Sequence, residues 1–316
     1  YHRRPDGFFS GMSAAAVADL QTFEGNAQGF RLLTALSEQA GLRLTYATLG
    51  SFIKYPWSST EASSLKPGKF SFFRSESAAF ETIVASMGLL PLAPGVWCRH
   101  PLAYLVEAAD DICYAIIDIE DGVEMGLLHM RDAEELLLSF LPPSTRAGYD
   151  EHHRPSRTDR QRLRWLRGRA VDILIEDCVD AFFAALDPIL EGRFPSTLVE
   201  TAEPRTAIGI AGAKALARTR IFTHTRKMEI EVGAYASVDT LLDACSYAVR
   251  ELLQPDRSRA DAELSYRASR ILGLMGDSAP SPTTSIEAGY RLVNDFLSGL
   301  TDNRATELAR VIRGRD

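Results

Sequence analysis

Residues 101–126 read PLAYLVEAADDICYAIIDIEDGVEMG, and their periodicity predicts one long amphipathic helix. Wound at about 100° per residue, the segment places its apolar and acidic side chains on opposed faces. The predicted inward face consists of Leu105, Ala109, Ile112, Ile116, Ile119 and Val123. The predicted outward face consists of Glu107, Asp110, Asp111, Tyr114, Asp118 and Asp121. Proline suits the first turn of a helix and glycine suits its exit, so Pro101 and Gly126 mark the expected ends.

The charge of this segment is unusual, because it contains neither lysine nor arginine. Like charges one turn apart on a helix repel each other by a few tenths of a kcal/mol per pair. The acidic face therefore needs cations from elsewhere, either a metal ion or basic side chains of other segments. An ordinary solvated surface helix is the alternative that the pattern leaves open.

Composition places the chain among globular proteins. It has 316 residues, of which 46% are hydrophobic and 24% are charged, which is enough for a sizeable core. The net charge of -7 argues against general coating of nucleic acid. The four cysteines are far apart and form neither a zinc motif nor a disulfide framework, so we expect a cytoplasmic protein. No apolar run approaches the length of a membrane span.

Helical periodicity extends over most of the chain, and no segment shows sustained period-two alternation. We therefore predict an all-α fold. A Ser-rich loop is expected after Pro56, where the sequence breaks. Pro142-Pro143-Ser144 is the clearest boundary, and it divides the chain into two predicted domains, residues 1–143 and residues 144–316. Beyond it, a capping-box pattern at Thr158 opens a long helix that is expected to reach Leu186.

Basic groups lie at two breaks in the helical pattern. The dipeptide Lys54-Tyr55 follows one helix, and Lys66 and Lys69 flank a Pro-Gly turn. Lysines held beside turns can reach a phosphate as point charges. The dipeptide Gly25-Asn26 lies near a helix start, where N–H groups favour anions, although a plain cap is the alternative. With the acidic helix, this set suggests a metal–polyphosphate substrate.

A third basic region follows the predicted boundary. Residues 146–169 contain a run of arginines: Arg146, Arg154, Arg157, Arg160, Arg162, Arg164, Arg167 and Arg169. Such a segment can bind nucleic acid, but a solvated helix face or a contact with acidic surface of a neighbouring subunit explains it equally well. No nucleophile elbow, Walker loop, H-E-x-x-H or G-x-G-x-x-G occurs in the chain.

Four motifs occur in an order that resembles the bacterial deoxyguanosine triphosphate triphosphohydrolases. They are FEGNAQG at 23–29, IKY at 53–55, KPG at 66–68 and EAADDICY at 107–114. Segments 222–235 and 296–302 also resemble that family, which belongs to the HD-domain phosphohydrolases. The resemblance implies an HD-domain-like multi-helical fold. Residues 1–143 would form the C-terminal part of the catalytic core, and residues 144–316 would add base recognition and oligomer contacts.

The resemblance also implies roles for individual residues. It makes Asp110 a ligand of a divalent metal, Mg²⁺ or Mn²⁺, and it places Tyr114 and Asp118 at the deoxyribose. The residues implied for the triphosphate are Asn26, Lys54, Tyr55 and Lys66. The residues implied for the base are Phe222 and Glu231, together with an arginine between Arg257 and Arg270.

The chain departs from the family in one respect. The family's upstream His and His-Asp metal ligands, and its catalytic His/Glu pair, have no counterpart in these residues, which contain no His-Asp dipeptide. We therefore expect the catalytic residues and the remaining metal ligands upstream of Tyr1.

The function that the resemblance implies is a metal-dependent dNTP triphosphohydrolase. It would convert dGTP, the favoured substrate, to deoxyguanosine and tripolyphosphate. Family members form homo-oligomers, often hexamers, and some respond to single-stranded DNA. One alternative is a non-catalytic helical nucleotide-binding or regulatory module that has lost the HD metal ligands, and another is a helical scaffold with an acidic surface.

Overall fold

A computed structural model describes residues 8–39, 43–150, 158–253 and 264–314 of the chain. Helices dominate these ranges, so the predicted all-α fold is confirmed. The helices of the first half are α1 (Ala14–Gln21), α2 (Gly25–Gln39), α3 (Tyr46–Phe52), α4 (Ser59–Leu65), α5 (Ser77–Met87), α6 (Pro101–Glu124), α7 (Met130–Ser139) and α8 (Pro143–Gly148). Those of the second half are α9 (Asp159–Ala184), α10 (Leu186–Leu190), α11 (Leu198–Thr201), α12 (Pro204–Leu216), α13 (Thr225–Leu253), α14 (Tyr266–Met275), α15 (Ile286–Ser298) and α16 (Asp302–Ile312).

The chain divides into two compact units, each built from separate stretches of sequence. Unit 1 comprises Tyr1–Leu44, Tyr55–Glu81 and Glu229–Asp316. Unit 2 comprises Thr45–Lys54 and Thr82–Met228. The functional division expected between residues 143 and 144 stays a prediction. Among the described helices, none combines the length and the apolar character that crossing a membrane requires.

The core of unit 2 forms where α6 packs against α9, and α7 and α12 complete it. Ile112, Ile116 and Ile119 of α6 are buried there, as the periodicity predicts. Leu166 and Ala170 of α9 lie in the same cluster. Each fully buried aliphatic side chain contributes roughly 1.5–3 kcal/mol relative to exposure. The long amphipathic helix is therefore the element on which unit 2 is assembled.

Helix α6 has the expected ends, and its faces differ from the prediction at two positions. Pro101 lies in its first turn, and Gly126 just beyond it has φ +71°, the left-handed conformation that suits glycine. Ala109 was predicted to face inward, yet it is exposed, and Glu107 was predicted to face outward, yet it is buried. A buried carboxylate requires cationic partners, and Glu107 has them in Arg99 and in a lysine described below.

The core of unit 1 joins the C-terminal half of α13 to α14 and α15. Val249 of α13 and Val293 of α15 are fully buried in it. Phe8 stacks on Tyr290, with ring centroids 5.1 Å apart, so the beginning of the described chain is packed into this core.

One local prediction is wrong, one short element was not predicted, and one prediction is confirmed. The expected Ser-rich loop after Pro56 contains α4, because Ser58 caps the N–H of Thr60 and Ala62 is buried. A short antiparallel hairpin, β1 (Pro91–Ala93) and β2 (Val96–Trp97), was not predicted, since it is too short for a period-two pattern. The capping box at Thr158 is present as predicted, and α9 ends at Ala184, two residues before the expected end.

Candidate functional site

A basic turn in unit 1 holds two of the lysines that the sequence singles out. Lys69 donates its backbone N–H to the carbonyl oxygen of Lys66 at 3.0 Å, and Gly68 between them has φ +73°. Proline at the second position and glycine with positive φ at the third are typical of a type II turn. The indole Nε1 of Trp57 donates to the carbonyl oxygen of Lys69 at 2.6 Å, which ties the turn to the rest of the unit.

The first lysine of this turn lies against an aromatic ring. The ammonium nitrogen of Lys66 is 5.2 Å from the ring centroid of Tyr55, a cation–π distance. Tyr55 is buried, and its backbone N–H donates to Ser71 Oγ at 2.9 Å. Lys66 is exposed. The structure thus brings together two of the residues implied for the triphosphate.

The second lysine reaches the N-terminus of α2. Glu24, which is 5% exposed, directs Oε2 at the backbone N–H groups of Asn26 and Ala27, at 2.5 and 3.3 Å. These N–H groups are therefore capped by the protein's own carboxylate, which is the plain-cap alternative for this position. The other carboxylate oxygen, Glu24 Oε1, accepts from Asn26 Nδ2 at 3.0 Å and from Lys69 Nζ at 3.1 Å. The hydrogen bond to Glu24 is the largest factor that raises the pKa of Lys69.

Lys54, the fourth residue implied for the triphosphate, belongs to unit 2. Its ammonium lies 3.3 Å from Glu107 Oε1, and Arg99 contacts the other carboxylate oxygen at 2.7 Å. The Arg99 guanidinium also lies 5.2 Å from the ring centroid of Tyr104. Lys54 is half-buried in this arrangement, in contrast to the exposed Lys66.

The other acidic residues of α6 show where the missing cations come from. Lys214 of α12 donates to Asp111 at 2.7 Å, and Arg167 of α9 contacts both carboxylate oxygens of Glu120. With Lys54 and Arg99, the two partners of Glu107, basic side chains from four other segments pair with three carboxylates of α6. This is one of the two sources that its charge predicted.

The residues implied for the metal and the sugar lie along one face of α6. Asp110 is exposed, Tyr114 is 64% exposed, and Asp118 is half-buried. Among the residues that the structure describes, no group of three or more His, Cys, Asp or Glu side chains could hold a metal ion. Asp110 alone is too small a ligand set for Mg²⁺ or Mn²⁺, so the described residues do not fit a complete metal site.

A lysine that the sequence interpretation missed lies in unit 2 near the end of this face. The ammonium of Lys227 is 4.0 Å from the ring centroid of Phe222, the residue implied for the base. Burial raises the pKa of Asp118, Lys227 opposes that shift, and Asp121 adds to it. Lys227, Phe222 and Asp118 are thus electrostatically linked, and neither spacing nor periodicity indicated this.

The remaining predicted residues are less informative. Glu231 is exposed on α13, and Arg270 is exposed on α14 with its guanidinium 4.8 Å from the ring centroid of Tyr266. Arg257 lies outside the described residues, as do Arg154 and Arg157. In the arginine-rich segment, several side chains pair with carboxylates: Arg162 with Asp159, Arg167 with Glu120, and Arg169 with Asp172.

The most connected group that sequence reasoning overlooked is the carboxylate of Glu24. The signal for it was present, since Glu24 belongs to the FEGNAQG motif two residues before Asn26. A carboxylate near a helix N-terminus is also favoured by the free N–H groups and the dipole of the helix. Its contact with Lys69 was not predictable, because the two residues are 45 positions apart in the chain.

Comparison with models of protein families gives no match. Comparison with individual proteins gives extensive similarity. A deoxyguanosinetriphosphate triphosphohydrolase-like protein of Pseudomonas aeruginosa (strain LESB58) is 40% identical over 315 residues, covering 98% of this chain and 69% of the relative. One of the same name in Synechocystis is 32% identical, covering 94% of this chain and 66% of that protein.

A third relative is named without the ending "-like protein". The deoxyguanosinetriphosphate triphosphohydrolase of Serratia proteamaculans is 28% identical over 325 residues, covering 90% of this chain and 62% of that protein. Similarity at this level over nearly the whole chain agrees with the motif order described above. The chain therefore belongs to the deoxyguanosinetriphosphate triphosphohydrolase family.

Proposed function

We propose that this protein is a metal-dependent dNTP triphosphohydrolase with dGTP as its favoured substrate. The bond between the deoxynucleoside 5′-oxygen and the α-phosphorus would break, releasing deoxyguanosine and intact tripolyphosphate. One observation carries the proposal. The chain belongs to this family, and three residues that the resemblance implies for the triphosphate lie around one basic turn of unit 1: Asn26, Tyr55 and Lys66.

The electrostatics of the turn suit a highly charged anion. Lys66 presents an exposed ammonium, and such a group binds phosphate as a compact point charge. Asn26 adds a side-chain amide, which is a hydrogen-bond donor for a phosphate oxygen. On α6, the hydroxyl of Tyr114 and the carboxylate of Asp118 supply the hydrogen-bonding groups that would meet the sugar. Phe222 and Glu231 would meet the base.

The metal belongs to the proposal and not to the described geometry. We expect Mg²⁺ or Mn²⁺, with Asp110 as one ligand and further ligands beyond the residues that the structure describes. No step of the reaction is therefore assigned to a metal on these residues. A homo-oligomer and a cytoplasmic location also stay predictions. So does an effect of single-stranded DNA, for which the arginine-rich segment at residues 146–169 is the candidate.

The direct test uses the full-length protein with Mg²⁺ or Mn²⁺ and each dNTP in turn, followed by chromatographic separation of the products. We expect deoxyguanosine and tripolyphosphate, formed fastest from dGTP. Release of a monophosphate and pyrophosphate would contradict the proposed bond cleavage. Nucleotide binding without turnover would instead favour the non-catalytic regulatory module, and absence of nucleotide affinity would favour the scaffold.

Variants of α6 test the assigned roles. Asp110→Ala should abolish turnover and weaken metal binding, because it removes a metal-ligating carboxylate. Tyr114→Phe should raise the barrier by only about 1 kcal/mol, since it deletes one hydrogen bond and keeps the ring. Asp180→Ala, at an exposed aspartate of α9, is the matched control and should leave turnover unchanged. Full activity of Asp110→Ala would remove that residue from the site.

A further inference from the structure

We propose that Lys227 is a positioning residue for the deoxynucleoside, because its ammonium lies against the ring of Phe222 and acts on the carboxylate of Asp118. This inference rests on the proposed function, in which Phe222 meets the base and Asp118 meets the sugar. It adds a cation at the nucleoside end of the substrate. The motif resemblance implies no role for this lysine.

The first argument is that close packing of the backbone brings these residues together in unit 2. A π-helical turn, Ala217–Ile221, directly precedes Phe222 and packs against α6. Gly122 of α6 permits this contact, since a Cβ there would lie 2.7 Å from the Cδ1 atom of Ile221. Asp118 is one turn before Gly122 and therefore lies on the same face of α6. The ring and the carboxylate thus extend from two segments in contact, and π-helical turns are frequent at functional sites.

The second argument concerns the surroundings of the ammonium. Lys227 Nζ lies 4.0 Å from the ring centroid of Phe222, so it covers one face of the ring. Phe222 is 39% exposed, which leaves ring surface on which a base can stack. Lys227 is half-buried, and within the described part of the chain its ammonium forms no ion pair. Partial burial of a charge without a carboxylate partner does not favour folding, so stability alone does not account for this position.

The third argument is the charge balance at Asp118. Burial raises the pKa of this half-buried carboxyl, the ammonium of Lys227 opposes the shift, and Asp121 of the same helix adds to it. An ionised carboxylate accepts hydrogen bonds on both oxygens, whereas a protonated carboxyl uses one oxygen as a donor. Lys227 therefore favours the form of Asp118 that can accept from a sugar hydroxyl.

The test measures the affinity of the full-length protein for deoxyguanosine by calorimetry, together with KM and kcat for dGTP. Deoxyguanosine lacks phosphates, so it reports on the nucleoside end alone. Lys227→Met removes the charge and keeps most of the side-chain length. It should weaken deoxyguanosine binding at pH 8 about two- to fivefold, the usual weight of a cation–π contact, and raise KM by a similar factor with a smaller effect on kcat. Affinity for inorganic tripolyphosphate should stay unchanged, and Lys227→Arg should recover most of the loss.

The pH dependence between pH 5 and pH 8 distinguishes an effect on Asp118 from a loss of packing. Without the ammonium, the contribution that lowers the pKa of Asp118 is gone, so this pKa should rise further. The fall in deoxyguanosine affinity and in kcat/KM on acidification should therefore begin at higher pH in Lys227→Met than in the wild type. Asp121→Asn should move it to lower pH, because Asp121 raises the same pKa. An equal loss at every pH in Lys227→Met would exclude an action on Asp118 and overturn the proposal.

Two neighbouring residues provide the controls. Arg226 precedes Lys227, carries the same charge and is exposed, so Arg226→Met should leave the affinity and its pH dependence unchanged. Equal effects of the two variants would reduce the result to overall charge and overturn the assignment of Lys227. Histidine is the side chain that ordinarily titrates in this pH range, and His224 lies three residues before Lys227. The shift caused by Lys227→Met should persist in a His224→Asn background, and its loss there would assign the pH effect to His224 instead.

The outcomes separate this inference from the proposed function. Failure of the wild-type protein both to bind deoxyguanosine and to turn over any dNTP would remove both. Wild-type binding and turnover that Lys227→Met leaves unchanged would overturn only the inference. Circular dichroism and thermal unfolding of every variant check that it is folded.

Discussion

Arg291 lies in the interior of unit 1 with 1% of its surface exposed. Its Nη2 donates to Asp19 Oδ2 at 2.8 Å, and its guanidinium lies 4.2 Å from the ring centroid of Phe73. Asp19 also accepts from the backbone N–H of Arg74 at 3.0 Å and from the hydroxyl of Ser59. Burial lowers the pKa of Arg291, and the attraction of Asp19 opposes this shift. A buried charge pair of this kind is costly to break from one side.

We expect Arg291→Met to destabilise the protein by about 3 kcal/mol, because it leaves the Asp19 carboxylate buried without its cationic partner. The measurement is the free energy of unfolding from urea titration. The control is Arg304→Met, which removes an exposed pair with Glu307 and should cost at most about 1 kcal/mol. Equal losses of unfolding free energy in the two variants would show that the buried pair stabilises the protein no more than the exposed pair does.

A second residue-scale feature joins two helices of unit 1. Arg31 of α2 directs Nε and Nη2 at Asp295 of α15, at 2.9 and 2.8 Å, and Nη1 at Glu76 at 2.6 Å. Bidentate guanidinium–carboxylate pairs have a defined geometry as well as favourable energy. Arg31 therefore fixes the orientation of α2, which carries Asn26 one and a half turns earlier.

At the scale of single elements, α6 depends on a titratable cap. The Nδ1 atom of His100 accepts from the backbone N–H of Leu102 at 3.2 Å. Protonation of Nδ1 would abolish this acceptor. Burial lowers the pKa of His100 below its usual value of 6.5, so the folded protein favours the neutral, capping form.

The sign of the resulting pH effect follows from linkage. Since the folded pKa is the lower one, the stabilisation is complete above pH 6.5 and is lost as the pH falls through the folded value. His100→Asn keeps a good capping residue without a titrating group. We therefore expect urea unfolding between pH 5 and pH 8 to show a shallower loss of stability on acidification in the variant. An unchanged slope would exclude His100 as its source.

The packing of α12 on α7 predicts the effect of an added methyl group. A Cβ at Gly209 would lie 2.2 Å from an atom of the buried Phe140 ring. We expect Gly209→Ala to destabilise the protein by about 1–3 kcal/mol, because overpacking outweighs the helix propensity of alanine. Gly233 of α13 has open space around it, so Gly233→Ala should stabilise by about 0.4–1 kcal/mol. Thermal unfolding of both variants gives the comparison, and a gain in both would contradict the predicted clash.

At the scale of the whole molecule, α13 shows how unevenly the fold is stabilised. Its C-terminal part contains buried residues of the unit 1 core, including Leu241, Ala244 and Val249. Residues 229–235 of the same helix are all exposed. Helical amides without buried side chains around them open at lower free energy than those in a packed core.

We therefore expect native-state hydrogen exchange, measured by mass spectrometry, to differ within this one helix. Peptides covering residues 241–249 should exchange about tenfold or more slowly than peptides covering residues 229–235. Peptides covering Ile112–Ile119 of α6 provide the internal reference for a core segment of unit 2. Uniform exchange along α13 would contradict the expected difference.

Sequence alone determined the helical class, the positions of the long helices at residues 101–126 and after Thr158, and the family. Local signals such as the capping box at Thr158 and the 3.6-residue periodicity of α6 act within a few residues, so they can be read from the chain itself. The same signals failed for Glu107, whose burial depends on Lys54 and Arg99. A periodic pattern treats every carboxylate as solvent-facing, whereas burial depends on partners from other segments.

Only the tertiary structure decided which charged groups meet. The sequence of residues 101–126 predicted that its carboxylates need cations from elsewhere. In the structure, basic side chains of α12, of α9 and of the segments around Lys54 and Arg99 pair with several of these carboxylates. Likewise, the FEGNAQG and KPG motifs were visible separately, but the shared carboxylate between Asn26 and Lys69 was not. The physical reason is range: periodicity and capping act between near neighbours in sequence, whereas charge pairing acts through space and requires a finished fold.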